Sequence, residues 1–115
     1  MKRFDLEPRT FLYGKKCIVL VMNMPKNLAS IEVGRQLIRS GGSVGANYIE
    51  ANEGLGEKDF IMHIKICRKE AKESSYWLRM LKETQLSTNI EQIDILIQES
   101  LELTKIFSSI INQFQ

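Results

Sequence analysis

One histidine, two cysteines, two prolines and one tryptophan are all that this 115-residue chain holds of four residue types that often carry chemistry or punctuate structure. A lone imidazole, His63, cannot supply a histidine-rich metal centre. His63 and Cys67 do have the i, i+4 spacing that could grip a metal, but two ligands do not complete a site. A di-iron bundle needs Glu-x-x-His on each of two helices, and position 60 is Phe. Nucleophilic catalysis lacks its parts as well, because no serine or cysteine can be argued to stand beside that histidine. No catalytic residue, metal or cofactor is therefore indicated.

Cys17 and Cys67 have no C-x-x-C partner, which excludes a zinc ribbon or a disulfide framework. Reduced thiols lining the core of a cytoplasmic protein are expected instead. Long apolar runs are missing too. The longest, "CIVLVM" at 17–22, is far too short to span a bilayer and has no small-residue cleavage site after it, so neither membrane insertion nor a targeting segment is expected. With 43% hydrophobic and 26% charged residues the composition is that of a folded globule. Its length suits one domain over residues 1–115. The net charge of +2 implies no partner, although its distribution is uneven. Residues 1–27 hold six basic and two acidic side chains, while residues 88–115 hold four acidic ones and only Lys105.

What the chain does have is helical periodicity. Phe60, Ile64, Cys67, Ala71, Ser74, Leu78 and Leu81 recur at steps of four and three. Ile93, Ile97, Ser100, Thr104, Phe107, Ile111 and Phe114 repeat the pattern, widened by Ile90, Leu96, Leu103 and Ile110. The polar link "QLSTN" between these two helices makes them antiparallel, with Thr88 or Asn89 as cap. Near the N-terminus, Pro8 suits a first helical turn, and Phe11, Leu12, Ile18, Val19 and Met22 can share an apolar face. A strand would also accommodate "IVLV", but it would have no partner strand. Pro25 then interrupts the chain, and a further periodic segment starts near Leu28.

That segment contains "RSGGSVGANYIEA" at 39–51. Leu37, Gly41, Val44, Tyr48 and Ala51 carry the period through the glycines, while Arg35, Arg39 and Glu50 fall off the stripe. Two mid-helix glycines cost about 2 kcal/mol against alanine, so a helix here requires packing that glycine permits. Close approach of a neighbouring helix at Gly34, Gly41, Gly45 and Ala46 would supply it. The alternative, a phosphate-cradling loop, lacks the lysine and the preceding strand of G-x-x-x-x-G-K-[ST], and G-x-G-x-x-G is absent. The expectation is an all-α, antiparallel, up-down-up-down four-helix bundle.

"SVGANYIEANEG" followed by "DFIMHIKICRKEAKESSYWLRML" resembles the bacterial four-helix-bundle proteins encoded in intervening sequences of 23S ribosomal RNA genes. The same superfamily includes the accessory variability proteins of diversity-generating retroelements. Ser43, Gly45, Ala46, Asn47 and Glu50 carry the resemblance on one helix, and Phe60, Glu70, Ala71, Glu73, Tyr76, Trp77, Leu78 and Leu81 on the next. The resemblance implies a bundle without catalytic activity, commonly assembled as a homo-oligomeric ring of five. For the retroelement members it implies binding of nucleic acid and of a reverse transcriptase through basic surface. The chain departs from the commonest family pattern at Ala51 and Glu53, where glycine is usual, and in a first segment holding Pro8 and Gly14.

Two sets of residues stand out. Lys65, Arg68, Lys69, Lys72, Arg79 and Lys82 trace a basic ridge along the third helix, which Arg35 and Arg39 can extend, and such stripes bind nucleic-acid backbones, RNA being favoured here. Glu70 and Glu73 stand close enough in sequence to neutralise several of these cations as ordinary solvated pairs. The other set is the structural motif Ser43, Gly45, Asn47, Glu50, Glu73 and Trp77. Asn47 and Glu50 are expected to bond across helices and set their register. Of Tyr76 and Trp77 at most one can point inward, and packing of Trp77 in the core or a subunit contact is preferred to base stacking. The competing functional reading is a protein–protein scaffold that works through an apolar surface.

Overall fold

The computed structural model describes residues 5–84 and 89–114. Four helices follow one another: α1 Leu6–Met22, α2 Leu28–Ala51, α3 Glu57–Thr84 and α4 Ile90–Asn112. They form an elongated up-down-up-down bundle of 44 × 21 × 21 Å, and no strand occurs among the described residues. The caps of α2 and α4 follow the local chemistry. Asn27 caps α2 by accepting the Ser30 N–H at 2.9 Å, and Asn89 caps α4 by accepting that of Gln92 at 3.2 Å. Thr88, the other cap expected for α4, lies outside the described residues. Between α2 and α3 the chain turns through Gly54 and Gly56, with φ of 80° and 109°, where a side chain would be strained. The turn thus draws its glycines from just beyond Ala51 and Glu53.

The four-three stripes of α2, α3 and α4 point into one core. Leu37, Val44, Ile64, Cys67, Leu78, Ile93 and Phe107 are fully buried within it. Some stripe positions differ from expectation: Ile90 is exposed at the start of α4, Ile97 and Thr104 are half-buried, and so are Phe60 and Phe114, whose tilted rings lie with centroids 5.6 Å apart. The core also holds a polar link. The Tyr13 hydroxyl of α1 and Ser74 Oγ of α3 lie 2.6 Å apart, joining diagonal helices across the bundle, and Ser74 also donates to the Ala71 carbonyl. Burial raises the Tyr13 phenol far above its ordinary value, so it stays neutral and keeps this bond at any physiological pH.

The glycines of 39–51 lie inside α2, and the joint they form is with α1. A Cβ built on Gly41 would meet Cys17 Sγ at 2.8 Å, one on Gly34 would meet Val21 at 2.7 Å, and one on Gly45 would meet Thr10 at 3.1 Å. Gly14 answers from the other side, its missing Cβ lying 3.3 Å from the Gly41 carbonyl oxygen and the Gly42 Cα. The two backbones therefore cross where both are bare. Ala46, expected in this seam, is exposed instead, and so is Gly42, with open space where its side chain would be.

This crossing decides which way α1 faces. Its buried side is Leu6, Thr10, Tyr13, Gly14, Cys17 and Leu20. The apolar face expected from Phe11, Leu12, Ile18, Val19 and Met22 is turned outward, with Phe11 71% and Met22 68% exposed. Small residues win the interior because they let α1 sit close on α2, whereas the bulky set would hold it away. Against α4 the first helix packs lightly. That side is held by Arg9, whose guanidinium grips both carboxylate oxygens of Glu99 at 2.7 and 2.8 Å and reaches Glu102 at 3.3 Å.

Candidate nucleic-acid interface

Helix α3 has 28 residues, about 42 Å of rise, and its outer side is where the basic residues collect. At 100° per residue Lys65, Lys69, Lys72 and Arg79 fall within an arc of about 80°. All four are exposed, and among the described residues no carboxylate pairs with any of them. Lys58, seven residues before Lys65, lies in the same arc, is exposed, and likewise pairs with no carboxylate among the described residues. Sequence reasoning passed over it, although a step of seven on the same helix was the available signal.

The other expected members are drawn away from the row. Arg39 crosses from α2 to α3, its guanidinium donating to Glu70 at 3.0 Å and, through its other terminal nitrogen, to Glu73. Lys82 pairs with Asp94 of α4 at 2.7 Å. Arg68 is half-buried and donates to Ser108 Oγ at 3.3 Å. Arg35 stays exposed on α2, one turn before Arg39. Glu70 and Glu73 thus neutralise α2, not the lysines of their own helix. Glu70 is moreover buried, with Oε2 on Arg39 and Oε1 without a hydrogen bond. Eight expected cations reduce to a row of four on α3, extended by Lys58, with Arg35 beside it.

Glu73 and Trp77 form one cluster with Arg39. The Trp77 indole N–H donates to Glu73 Oε2 at 3.0 Å, so Glu73 takes bonds from both a neighbouring helix and its own. Arg39 first, then Trp77, holds the Glu73 carboxyl below the usual carboxylate range. Trp77 is half-buried against the core, and its ring stands nearly perpendicular to that of Tyr76, at 80° with centroids 4.9 Å apart. Tyr76 itself is exposed.

The rest of the motif is more local than expected. Asn47 Nδ2 donates back to the Ser43 carbonyl and to Ser43 Oγ, both at 2.9 Å, all within α2. Glu50 is exposed and bonds to no other helix among the described residues. Register between α2 and α3 is set elsewhere, by Arg39 on Glu70 and Glu73 and by the Cys67 thiol, which donates to the Val44 carbonyl at 3.4 Å. Among the motif residues on α2, Gly45 meets another helix, its built Cβ lying 3.1 Å from Thr10 Oγ1.

His63 sits at the boundary of α3, its Nδ1 3.0 Å from the Asp59 carbonyl and 3.4 Å from Asp59 Oδ2. Cys67, its i+4 neighbour, is fully buried. Desolvation pushes the Cys17 and Cys67 thiols up to about 12, so neither forms a thiolate near neutral pH. Among the described residues no group of three His, Cys, Asp or Glu side chains comes together to hold a metal ion. No described helix is long and apolar enough to cross a membrane.

Comparison with known proteins agrees with this architecture. A family model described as 23S rRNA-intervening sequence protein matches residues 8–109. The crystal structure of a protein of unknown function from the S23 ribosomal protein family of Bacteroides thetaiotaomicron VPI-5482 superposes with a TM-score of 0.87. It is 31% identical, and the match covers 97% of this chain and 99% of that one. No curated protein matches the chain.

Proposed function

Because the chain belongs to the 23S rRNA-intervening sequence protein family, we propose that it binds nucleic acid, RNA in preference to DNA, through the outer face of α3, without catalysis. The observation that carries this reading is the row Lys58, Lys65, Lys69, Lys72 and Arg79, exposed along one side of a single helix with no carboxylate among the described residues to neutralise it. Unpaired cations in line are what a phosphate backbone exploits, since each phosphate neutralised releases condensed counterions. A five-cation row predicts a log–log salt slope of roughly −3.5 per protomer for single strands, or about a 100-fold loss of affinity between 50 and 200 mM salt. Filter binding of a short RNA across that range checks it, and binding that is absent or indifferent to salt removes the proposal.

Assembly of several copies, five by family resemblance, belongs to the same reading. Its support is the outward face of α1, where Phe11, Leu12, Ile18, Val19 and Met22 surround Lys15. A fitting occupant is the outer side of α4 on a second copy, which exposes Ile95 and Leu101 near Glu91. Apolar area meets apolar area there, with opposite charges at the rim. Repetition around an oligomer would multiply the avidity of one short row.

The same face favours the second reading, a protein–protein scaffold whose partner is another protein, a reverse transcriptase among the candidates, with no nucleic-acid role. Light scattering separates the two. A defined oligomer that Phe11→Glu with Met22→Glu dissociates, and that purifies and stays free of nucleic acid, favours the scaffold. The same oligomer binding RNA in a salt-dependent manner favours the first.

A further inference from the structure

We propose that Tyr76 is the base-stacking residue of the α3 row and that it selects single-stranded over double-stranded nucleic acid. This rests on the row being the phosphate-binding face and goes beyond it by naming the ligand's form. Tyr76 is 44% exposed, an aromatic on the solvent side of a helix whose core side is fully occupied. Its helical neighbours are the cations themselves: Lys72 precedes it by four residues and Arg79 follows it by three, so both stand about one turn away. Lys69 lies seven residues earlier on the same line. The antiparallel register set by Arg39 on Glu70 and Glu73, and by Cys67 on Val44, also brings exposed Arg35 of α2 level with it.

The ring is also held in place. Its near-perpendicular contact with Trp77 occupies at most one of its two faces. Trp77 cannot swing away, because its indole N–H is tied to Glu73 and Glu73 is tied to Arg39. Arg39 is thus spent as a positioning residue: the cation lost from the row fixes the aromatic that the row surrounds. A preorganised ring between phosphate-binding cations suits a nucleotide whose base is free to stack. Bases in a duplex are stacked on each other and not free, so loops and single strands are the form recognised.

The test compares a fluorescently labelled 12-nucleotide RNA with a duplex of the same sequence, by anisotropy at fixed salt. Tyr76→Ala should weaken single-strand binding about 5- to 100-fold and leave both the duplex affinity and the salt slope unchanged. Tyr76→Phe should stay within about threefold of the unaltered protein, since the ring is what stacks. A second readout needs no variant. Trp77 is the only tryptophan in the chain, and its emission should change saturably with the single strand but not with the duplex. Equal losses on both RNAs, or no loss with Tyr76→Ala while the unaltered protein still binds, overturns the stacking role and leaves the row intact. Failure of the unaltered protein to bind either RNA overturns row and stacking together.

Discussion

Reversing Lys65, Lys69 and Lys72 together to glutamate is expected to weaken RNA binding at 50 mM salt by at least about 100-fold and to flatten the salt dependence almost completely. The change replaces three of five cations in one arc by anions, so the face goes from five positive charges to two positive and three negative. Stability should hardly move. All three side chains are exposed and none has an ion-pair partner among the described residues, so the cost should remain within about 0.5 kcal/mol each. Lys82→Glu is the matched control. That lysine is equally exposed and on the same helix, but it is already answered by Asp94 at 2.7 Å, and its loss should shift affinity by less than about threefold. If Lys82→Glu costs about a third of the triple reversal's loss on a logarithmic scale, in proportion to its change in charge, the surface acts through net charge and the α3 row is not a site.

Gly41 and Gly42, neighbours in sequence, should respond to substitution with opposite signs. At Gly41 a Cβ would meet Cys17 Sγ at 2.8 Å and Cys17 Cβ at 3.1 Å. The sulfur can rotate out of an alanine's way, but the Cβ cannot, and a leucine would have to separate α1 from α2. Gly41→Leu is expected to cost about 3 kcal/mol or more, roughly 10–15 °C in melting temperature for a domain of this size. At Gly42 nothing lies within 4 Å, so Gly42→Ala removes a glycine's helix penalty and should stabilise by about 0.5–1 kcal/mol. Thermal melts of the two variants decide it. A Gly41→Leu protein that melts like the parent would mean that α1 does not rest on bare backbone there.

Between those two glycines runs the division of what could be read in advance. Helix positions in α2, α3 and α4 were legible because burial against one core imprints a period on the chain: Leu37, Val44, Tyr48, Ile64, Leu78 and Phe107 each fall where a step of three or four puts them. The glycine stretch was legible as helix for the same reason, the period running through it. That pattern is silent about α1, which carries apolar residues on both sides. Gly14 looked like a weak point in that helix, yet it is half of the close crossing with α2.

The candidate site was legible as a row of types but not as a row of free charges. Arg39 and Lys82 read as members on spacing alone, and each is neutralised by a carboxylate on another helix. Conversely Glu70 and Glu73 read as screens for the lysines and instead face α2. Asn47 and Glu50 read as ties between helices, and the ties are made by Arg39 and Cys67.

By itself the amino-acid order determined four helices, their boundaries near Pro25 and Asn89, and the inward face of three of them, since each of these follows from interactions within a few residues along the chain. Only the tertiary structure decided which side of α1 is buried, which cations stay uncompensated and which aromatic is held out to solvent. Those outcomes depend on partners such as Gly14 with Gly41 or Arg39 with Glu73, on different helices, and no local period encodes the distance between two helices once they pack.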